Sequence, residues 1–293
     1  MINKVAIIVV TYNRLELLKE CVDSLRNQSY QNYDIIVVNN GSTDETLNWL
    51  SSQNELVVIT QENLGGAGGF FTGIKYACEN GYQYSWVMDD DVITDVYALE
   101  NLVNKTSFCS GFICSKVLDL ENNLCNVPKI SLKKSSKTGE LTWGNKLNHN
   151  LLQVDITSFV SMFFNNQLVY ELGLPYKEYF IWGDDTEYSS RISNSYGSYM
   201  AIDSIVTHKR TIQSVLSIFT ETNKRRIDNY FYAYRNRIHN QKTIYKKMLM
   251  YVYSIFELFK LIFMGHLYSA KIVVKGLYAA LFFYPTIKYP KNA

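Results

Sequence analysis

Proline is scarce in this chain, with four among 293 residues, so long disordered linkers are not expected. Charge is thin as well: 19% of residues are Asp, Glu, Lys or Arg, below the roughly 25% of ordinary soluble domains. The net charge of +2 gives no reason to expect a nucleic-acid partner. The five cysteines, Cys21, Cys78, Cys109, Cys114 and Cys125, are odd in number and form no CxxC pair. Neither a zinc site nor a disulfide framework is readable from them, and thiols packed as small hydrophobes in a reducing compartment are expected. The N-terminus lacks a basic segment followed by a long apolar run and a small-residue cleavage site, so a cytoplasmic protein is expected. No uncharged apolar run reaches the roughly 18 residues of a spanning helix. Met248 to Phe256 with Leu258 to Met264 comes closest, broken by Glu257 and Lys260. The glycines match neither a Walker loop with its GK ending nor a GxGxxG fingerprint, and Thr11-Tyr12-Asn13-Arg14 stands where the latter would begin.

What is present begins with buried-strand runs. Residues 4–11 are apolar and β-branched, as a buried parallel strand requires. Residues 14–27 carry Leu15, Leu18, Val22 and Leu25 on one helical face. Asp34 to Asn39 reads as a second strand, and Ser42 or Thr43 could cap the helix after it. Glu55 to Thr60 reads as a third strand, followed by a glycine-rich turn and a helix to about Asn80. Tyr84 to Met88 reads as a fourth strand, ending in Asp89-Asp90-Asp91. Further on, Gly111 to Val117, Gln153 to Phe164 and Ala201 to Val206 look like strands. This alternation predicts an open α/β sheet, in which ligands bind beyond the carboxyl ends of the strands. The polar clusters at Thr11, Asn39-Asn40-Gly41 and Asp89-Asp90-Asp91 all fall at such ends.

Three adjacent carboxylates repel one another unless a cation or hydrogen-bond donors offset the charge. Asp89 and Asp91 can share a face of an extended chain, and hard oxygen ligands suit Mg²⁺ or Mn²⁺ with a phosphate. A solvated acidic turn is the plain alternative. Asp184, Asp185 and Glu187 precede an amphipathic stretch, where carboxylates either cap a helix or serve as a general base for a hydroxyl nucleophile. Asn63-Leu64-Gly65-Gly66-Ala67-Gly68-Gly69-Phe70 lets backbone N–H groups approach a ligand or cradle phosphate, or serves as a flexible connector. His208, alone after its strand, reads first as an ordinary surface or core histidine.

Taken together these pieces resemble a family 2 glycosyltransferase of the GT-A fold over about residues 4–210. Val9 to Arg14 resembles the opening V-T-Y-N-R, Val38 to Asp44 the V-D-[DN]-G-S-x-D turn, and Asp89-Asp90-Asp91 the D-x-D. Asp184 to Glu187 with Arg191 resembles the base motif, and His208 the histidine that completes the metal shell in some members. The resemblance implies a mixed, mostly parallel open sheet flanked by helices, plus a helical C-terminal region. It implies that Thr11, Tyr12, Asn13, Arg14, Asn63, Gly65, Gly66, Gly69, Asp89 and Asp90 contact the donor. Asn40 would face the base edge, where many members have Asp. Asp91, Asp89 and His208 would hold Mn²⁺ or Mg²⁺. Asp185 would be the base, Asp184 would orient donor or acceptor, and Trp182 would stack on a sugar. The N-L-G-G-A-G-G-F segment looks like the branch that uses UDP-galactofuranose. A rhamnosyltransferase using dTDP-rhamnose is the alternative, since that branch has a looser N-x-G-x-x-x-G-x-N pattern. A nucleotidyltransferase would want a basic glycine-rich loop near the first strand, and a non-catalytic sugar-nucleotide-binding module would be expected to have lost its carboxylates.

The expected division is a catalytic domain over 1–215, with a nucleotide half (1–105) and an acceptor half (106–215), then a helical region over 216–293. Tyr230 to Arg237 resembles an aromatic-Arg-Asn segment of bacterial lipid-linked sugar transferases. The lysine-studded aromatic stretch 245–284 suits helices lying in an anionic membrane surface, or else a buried subdomain or dimer contact. A peripheral place on the inner face of the membrane, a lipid-linked acceptor, cell-surface polysaccharide synthesis and a possible homo-oligomer complete the expectations.

Overall fold

Every side chain of β1 (Val5–Thr11) is buried, and this strand is the hub on which the sheet is built. The computed structural model describes residues 4–209 and 217–291, so the expected division at 215/216 lies outside the described residues. Helix α1 (Leu15–Arg26) follows and buries Leu18, Cys21, Val22 and Leu25 against one face of the sheet. Each such side chain contributes about 1.5–3 kcal/mol of burial. Strand β2 (Tyr33–Asn39), helix α2 (Thr46–Ser51), strand β3 (Val57–Thr60), helix α3 (Gly65–Glu79) and strand β4 (Tyr84–Asp89) complete the expected alternation. β1 pairs in parallel with both β2 and β4, and β2 with β3.

The second half is less regular. It contains β5 (Val92–Thr94), α4 (Ala98–Val103), β6 (Phe112–Leu118), β7 (Lys129–Ile130), β8 (Leu151–Ile156), β9 (Met162–Asn165), α5 (Gln167–Leu172), α6 (Asp184–Ser195) and β10 (Tyr199–His208). Among the described residues the sheet runs β3-β2-β1-β4-β9-β6-β10-β8-β7, with β5 paired to β10. β9 lies antiparallel between β4 and β6, so one continuous sheet crosses position 105. The result is the mixed α/β sheet flanked by helices that the GT-A resemblance implies.

Three local expectations are corrected. Gln153 to Phe164 is two strands, because Ser189 of α6 exchanges hydrogen bonds with the backbone of Thr157 and draws the chain out of the sheet. The break is buried, so hydrophobicity does not mark it. Ser42 and Thr43 do not cap α2; both are engaged by Asn13 instead. The glycine-rich stretch is the first turns of α3 rather than a turn before it. Gly69 allows the close approach: a Cβ there would stand 2.4 Å from Cγ1 of Val10 on β1.

The C-terminal region is α7 (Lys224–His239), α8 (Ile244–Phe263) and α9 (Leu267–Ala280). These helices share a separate core that includes Ile227, Tyr234, Leu261, Val273 and Leu277, and Trp182 packs against it.

Candidate active site

The carboxyl ends of β1, β2 and β4 hold the first three polar clusters together. Thr11 Oγ1 donates to Asp90 Oδ2 (2.7 Å), and Arg14 donates to Asp90 (3.2 Å) and Asp91 (2.9 Å). Asn13, at φ 54°, ties the β1 turn to the β2 turn: its amide N–H donates to Ser42 Oγ, and its side-chain oxygen accepts from the Thr43 amide (2.7 Å). Tyr12 is half-buried beside them, with Arg225 of α7 reaching its hydroxyl at 3.4 Å.

β10 brings His208 to the same place, and its neighbour Lys209 donates its backbone N–H to the Asp91 carbonyl (2.8 Å). Side-chain ligand atoms of Asp89, Asp91 and His208 all lie within 4.8 Å of one another. His208 Nδ1 is 2.9 Å from Asn126 Oδ1. An amide oxygen only accepts, so Nδ1 carries a hydrogen, and the other ring nitrogen, Nε2, lies 3.0 Å from Asp91 Oδ1. Apart from this ring nitrogen, Asp91 Oδ1 is buried without a hydrogen-bond partner. Cis ligands of an octahedral ion with bonds of about 2.1 Å lie about 3 Å apart, so the donor set fits Mg²⁺ or Mn²⁺. Burial and the neighbouring Asp91 charge push the Asp89 carboxyl up to about 7. Burial also raises Asp90, against the pull of Arg14 and Thr11. For Asp91, His208 and Arg14 outweigh burial and hold the carboxyl below its usual range.

Asn40 corrects an expectation. It is buried, and all its amide capacity is used within the protein. Nδ2 donates to Gly65 O (2.8 Å) and weakly to Asn63 Oδ1 (3.4 Å), while Oδ1 accepts from Gln61 (2.8 Å) and the Leu64 amide (3.2 Å). No side-chain polar atom of Asn40 is left for a base edge. An Asp here could not donate to Gly65, which accounts for the amide. Gly65, at φ +72°, lies against Phe180, whose carbonyl accepts from the Ala67 amide (3.1 Å). Gly66 has nothing within 4 Å of a built Cβ, while Gly69 faces the core and not a ligand. Asn63 is exposed at the head of α3, and its Oδ1 accepts from the Gly65 amide (2.9 Å).

The contact from Phe180 to α3 places the loop before α6 at the same sheet edge. Asp184 opens α6 and is buried; burial and the adjacent Asp185 charge raise it to about 8. Asp185 is half-exposed, and its carboxylate accepts from the Thr186 amide (2.6 Å) and hydroxyl (3.2 Å). Burial raises it too, partly offset by those bonds. Arg191 has a structural part: it pairs with Glu187 and donates to the carbonyls of Leu172 and Leu174, each at 3.0 Å. Trp182 is half-buried with its ring 5.1 Å from that of Tyr230.

Two groups escaped the sequence reading. Asn126, in an irregular loop at φ 45°, orients His208. Asn236 and Asn240 of the C-terminal region donate to the backbone of the loop that carries Trp182. Only the aromatic-Arg-Asn pattern hinted at the second. A cavity of about 220 Å³, lined by Tyr84, Cys109, Phe163 and Glu171 among others, lies at the opposite end of β4 and belongs to none of this.

Residues 6–143 match the family model described as Glycosyl transferase family 2. An uncharacterized glycosyltransferase of Haemophilus influenzae is 28% identical over 63% of this chain and 57% of its own length. Galactofuranosyltransferase GlfT1 of Mycolicibacterium smegmatis is 28% identical over 65% of this chain and 66% of its own. The chain thus spans less than two thirds of these relatives. Among solved structures, S. aureus TarS 1-349 in complex with UDP superimposes with a TM-score of 0.55 at 14% identity, covering 81% of this chain and 65% of TarS. Mannosyltransferase PcManGT from Pyrobaculum calidifontis, in complex with GDP-Man and Mn²⁺, gives 0.54 at 17% identity, covering 95% and 75%.

Proposed function

We infer that this chain, which carries a family 2 glycosyltransferase domain on the GT-A fold, moves one sugar from a nucleotide diphosphate to an acceptor hydroxyl with inversion. The observation that carries this reading is the grouping of Asp89, Asp91 and His208 at the sheet edge that also holds Thr11 and the Gly65–Phe180 contact. A divalent cation bound there, Mn²⁺ or Mg²⁺, supplies neutralisation of the charge that gathers on the departing diphosphate. Thr11, Tyr12, Arg14, Asn63, Gly66 and Asp90 line the donor side; Asn13, Asn40, Gly65 and Gly69 shape it from behind. Asp185 takes the proton of the acceptor hydroxyl as its oxygen bonds to the anomeric carbon. The bond from that carbon to the diphosphate breaks on the opposite face, so configuration inverts. Asp184 orients donor or acceptor, and Trp182 stacks on a sugar ring.

The donor is proposed to be UDP-galactofuranose. The N-L-G-G-A-G-G-F segment and the likeness to a galactofuranosyltransferase support this over dTDP-rhamnose. UDP release with Mn²⁺ from UDP-galactofuranose, UDP-galactopyranose and dTDP-rhamnose tests it. Preferred turnover of the furanose is expected, and turnover of dTDP-rhamnose alone would overturn the choice.

Residues 1–215 are proposed as catalytic and 216–293 as a region that docks on the inner face of the membrane, where a lipid-linked acceptor lies. No helix among the described residues is long and apolar enough to cross a membrane. On α8, Ile244, Met248, Val252, Phe256, Phe259 and Phe263 form one exposed face. Glu257 turns inward to Arg237 of α7 (2.6 Å), so this face carries no acid. Residues 241–293 hold eight lysines and one acid, Glu257, while the whole chain is only +2. Two such surfaces repel each other, whereas an anionic bilayer attracts both the charge and the apolar stripe.

A further inference from the structure

Asn236 lies fully buried in α7, on the side facing the loop that leads into α6. Its Nδ2 is within hydrogen-bond distance of three backbone carbonyls: Tyr179 (3.0 Å), Ile181 (3.2 Å) and Trp182 (2.8 Å). Its Oδ1 accepts from Arg235 Nε (3.0 Å), which fixes the amide so that nitrogen, not oxygen, faces the loop. Arg235 itself donates to Glu178 O (2.6 Å). One turn on, Asn240 donates to Gly183 O (3.0 Å) and accepts from the Tyr179 hydroxyl (2.5 Å).

The loop so held is unusual. Phe180, Trp182 and Gly183 have φ of 64°, 63° and 93°. Left-handed backbone at bulky residues costs of order 1–3 kcal/mol each and persists only where surroundings over-determine it. The carbonyls of Tyr179, Ile181 and Trp182 converge as a consequence, and an amide donor is what makes their convergence tolerable. The next residues are Asp184 and Asp185. Where the loop turns therefore decides where these carboxylates and the Trp182 ring stand.

We propose that Asn236 is a positioning residue of the active site: its amide gathers the three carbonyls and sets the placement of Trp182, Asp184 and Asp185, so α7 completes the catalytic unit. This rests on the proposed transferase reading for its kinetic consequence but not for its structural one. The Asp89–Asp91 and Thr11 cluster makes no hydrogen bond to Asn236, and the loop meets the donor side at Phe180, so acceptor chemistry should suffer more than nucleotide binding.

Asn236→Asp keeps the shape and replaces the donor with an oxygen facing three carbonyls. In the full-length protein, hydrogen–deuterium exchange is expected to rise over residues 178–187 while β1 to β4 stay protected. UDP affinity with Mn²⁺ should stay within about threefold, and transfer kcat should fall about a hundredfold, as misplacement of a reacting group does. Asn236→Ser, which keeps a smaller donor, should recover part of both effects. If Asn236→Asp does not fold, Asn240→Ala reads the same loop through its Gly183 bond. Unchanged exchange over 178–187, or an equal rise of exchange everywhere with kcat and UDP binding lost together, would overturn the proposal. If the wild type transfers from no donor tested while exchange rises locally, the transferase reading fails and the positioning stands.

Discussion

Nε2 of His208 stands 3.0 Å from Oδ1 of Asp91, a buried oxygen with no other polar partner, while Asn126 Oδ1 accepts from the other ring nitrogen. The pair is spaced as two adjacent ligands of one octahedral cation would be. Asp91→Ala should abolish measurable Mn²⁺-dependent UDP binding. Asn126→Ala, which frees the ring without touching the ion, should weaken it about 10–100-fold. Isothermal titration with UDP and Mn²⁺ reads both, and unchanged Mn²⁺ dependence in Asp91→Ala would remove this cluster from metal binding.

Asp184 carries a signature in stability against pH. Its folded carboxyl is raised by burial from 3.8 to about 8, so the folded protein keeps a proton that the unfolded chain gives up near pH 4. Its contribution is therefore full below about pH 4 and is lost as pH climbs toward 8. Asp184→Asn removes the ionisation. It should leave Tm nearly unchanged at pH 4 and raise it by roughly 5 °C at pH 8, with transfer impaired. Thermal melts across this range check the sign; a variant less stable than wild type at pH 8 contradicts it.

Gly69 and Gly66 separate packing from binding. Gly69→Ala would drive a methyl into Val10, whose branched side chain is stiff, and should cost about 1–3 kcal/mol in denaturant melts. Gly66→Ala meets nothing and should melt like wild type or slightly higher, yet weaken UDP binding if α3 faces the donor. Equal behaviour of the two variants would refute this division of the glycine run.

The exposed face of α8 should bind anionic vesicles and release them at high salt. Replacing Phe256 and Phe259, 67% and 64% exposed, with Glu should abolish flotation with anionic vesicles without lowering Tm. Retained flotation, or a dimer broken by the same changes in the absence of lipid, would instead identify the face as a contact between copies.

Much of this architecture was legible in the residues. Strands buried on both faces announce themselves by unbroken β-branched runs, as in β1 and β4, and the acidic and amide clusters followed them directly. What the sequence concealed was long-range or buried. The break between β8 and β9 is made by Ser189, far along the chain, and Asn40 reads as a ligand contact until its four internal hydrogen bonds are seen. Asn126 sits in an irregular loop with no periodicity to mark it. Glu257 breaks the apolar run in the sequence, and only the packing shows it turned toward Arg237, off the exposed face of α8.

Asp185 is the group proposed to accept the proton of the attacking hydroxyl. The direct measurement pairs UDP binding with sugar transfer in Asp185→Asn, which keeps the size of the side chain and removes its basicity. Transfer should fall about 10²–10⁴-fold, while the dissociation constant for UDP with Mn²⁺ stays within a factor of about two. Transfer at the wild-type rate would contradict the assignment and, with it, the mechanism proposed for this site.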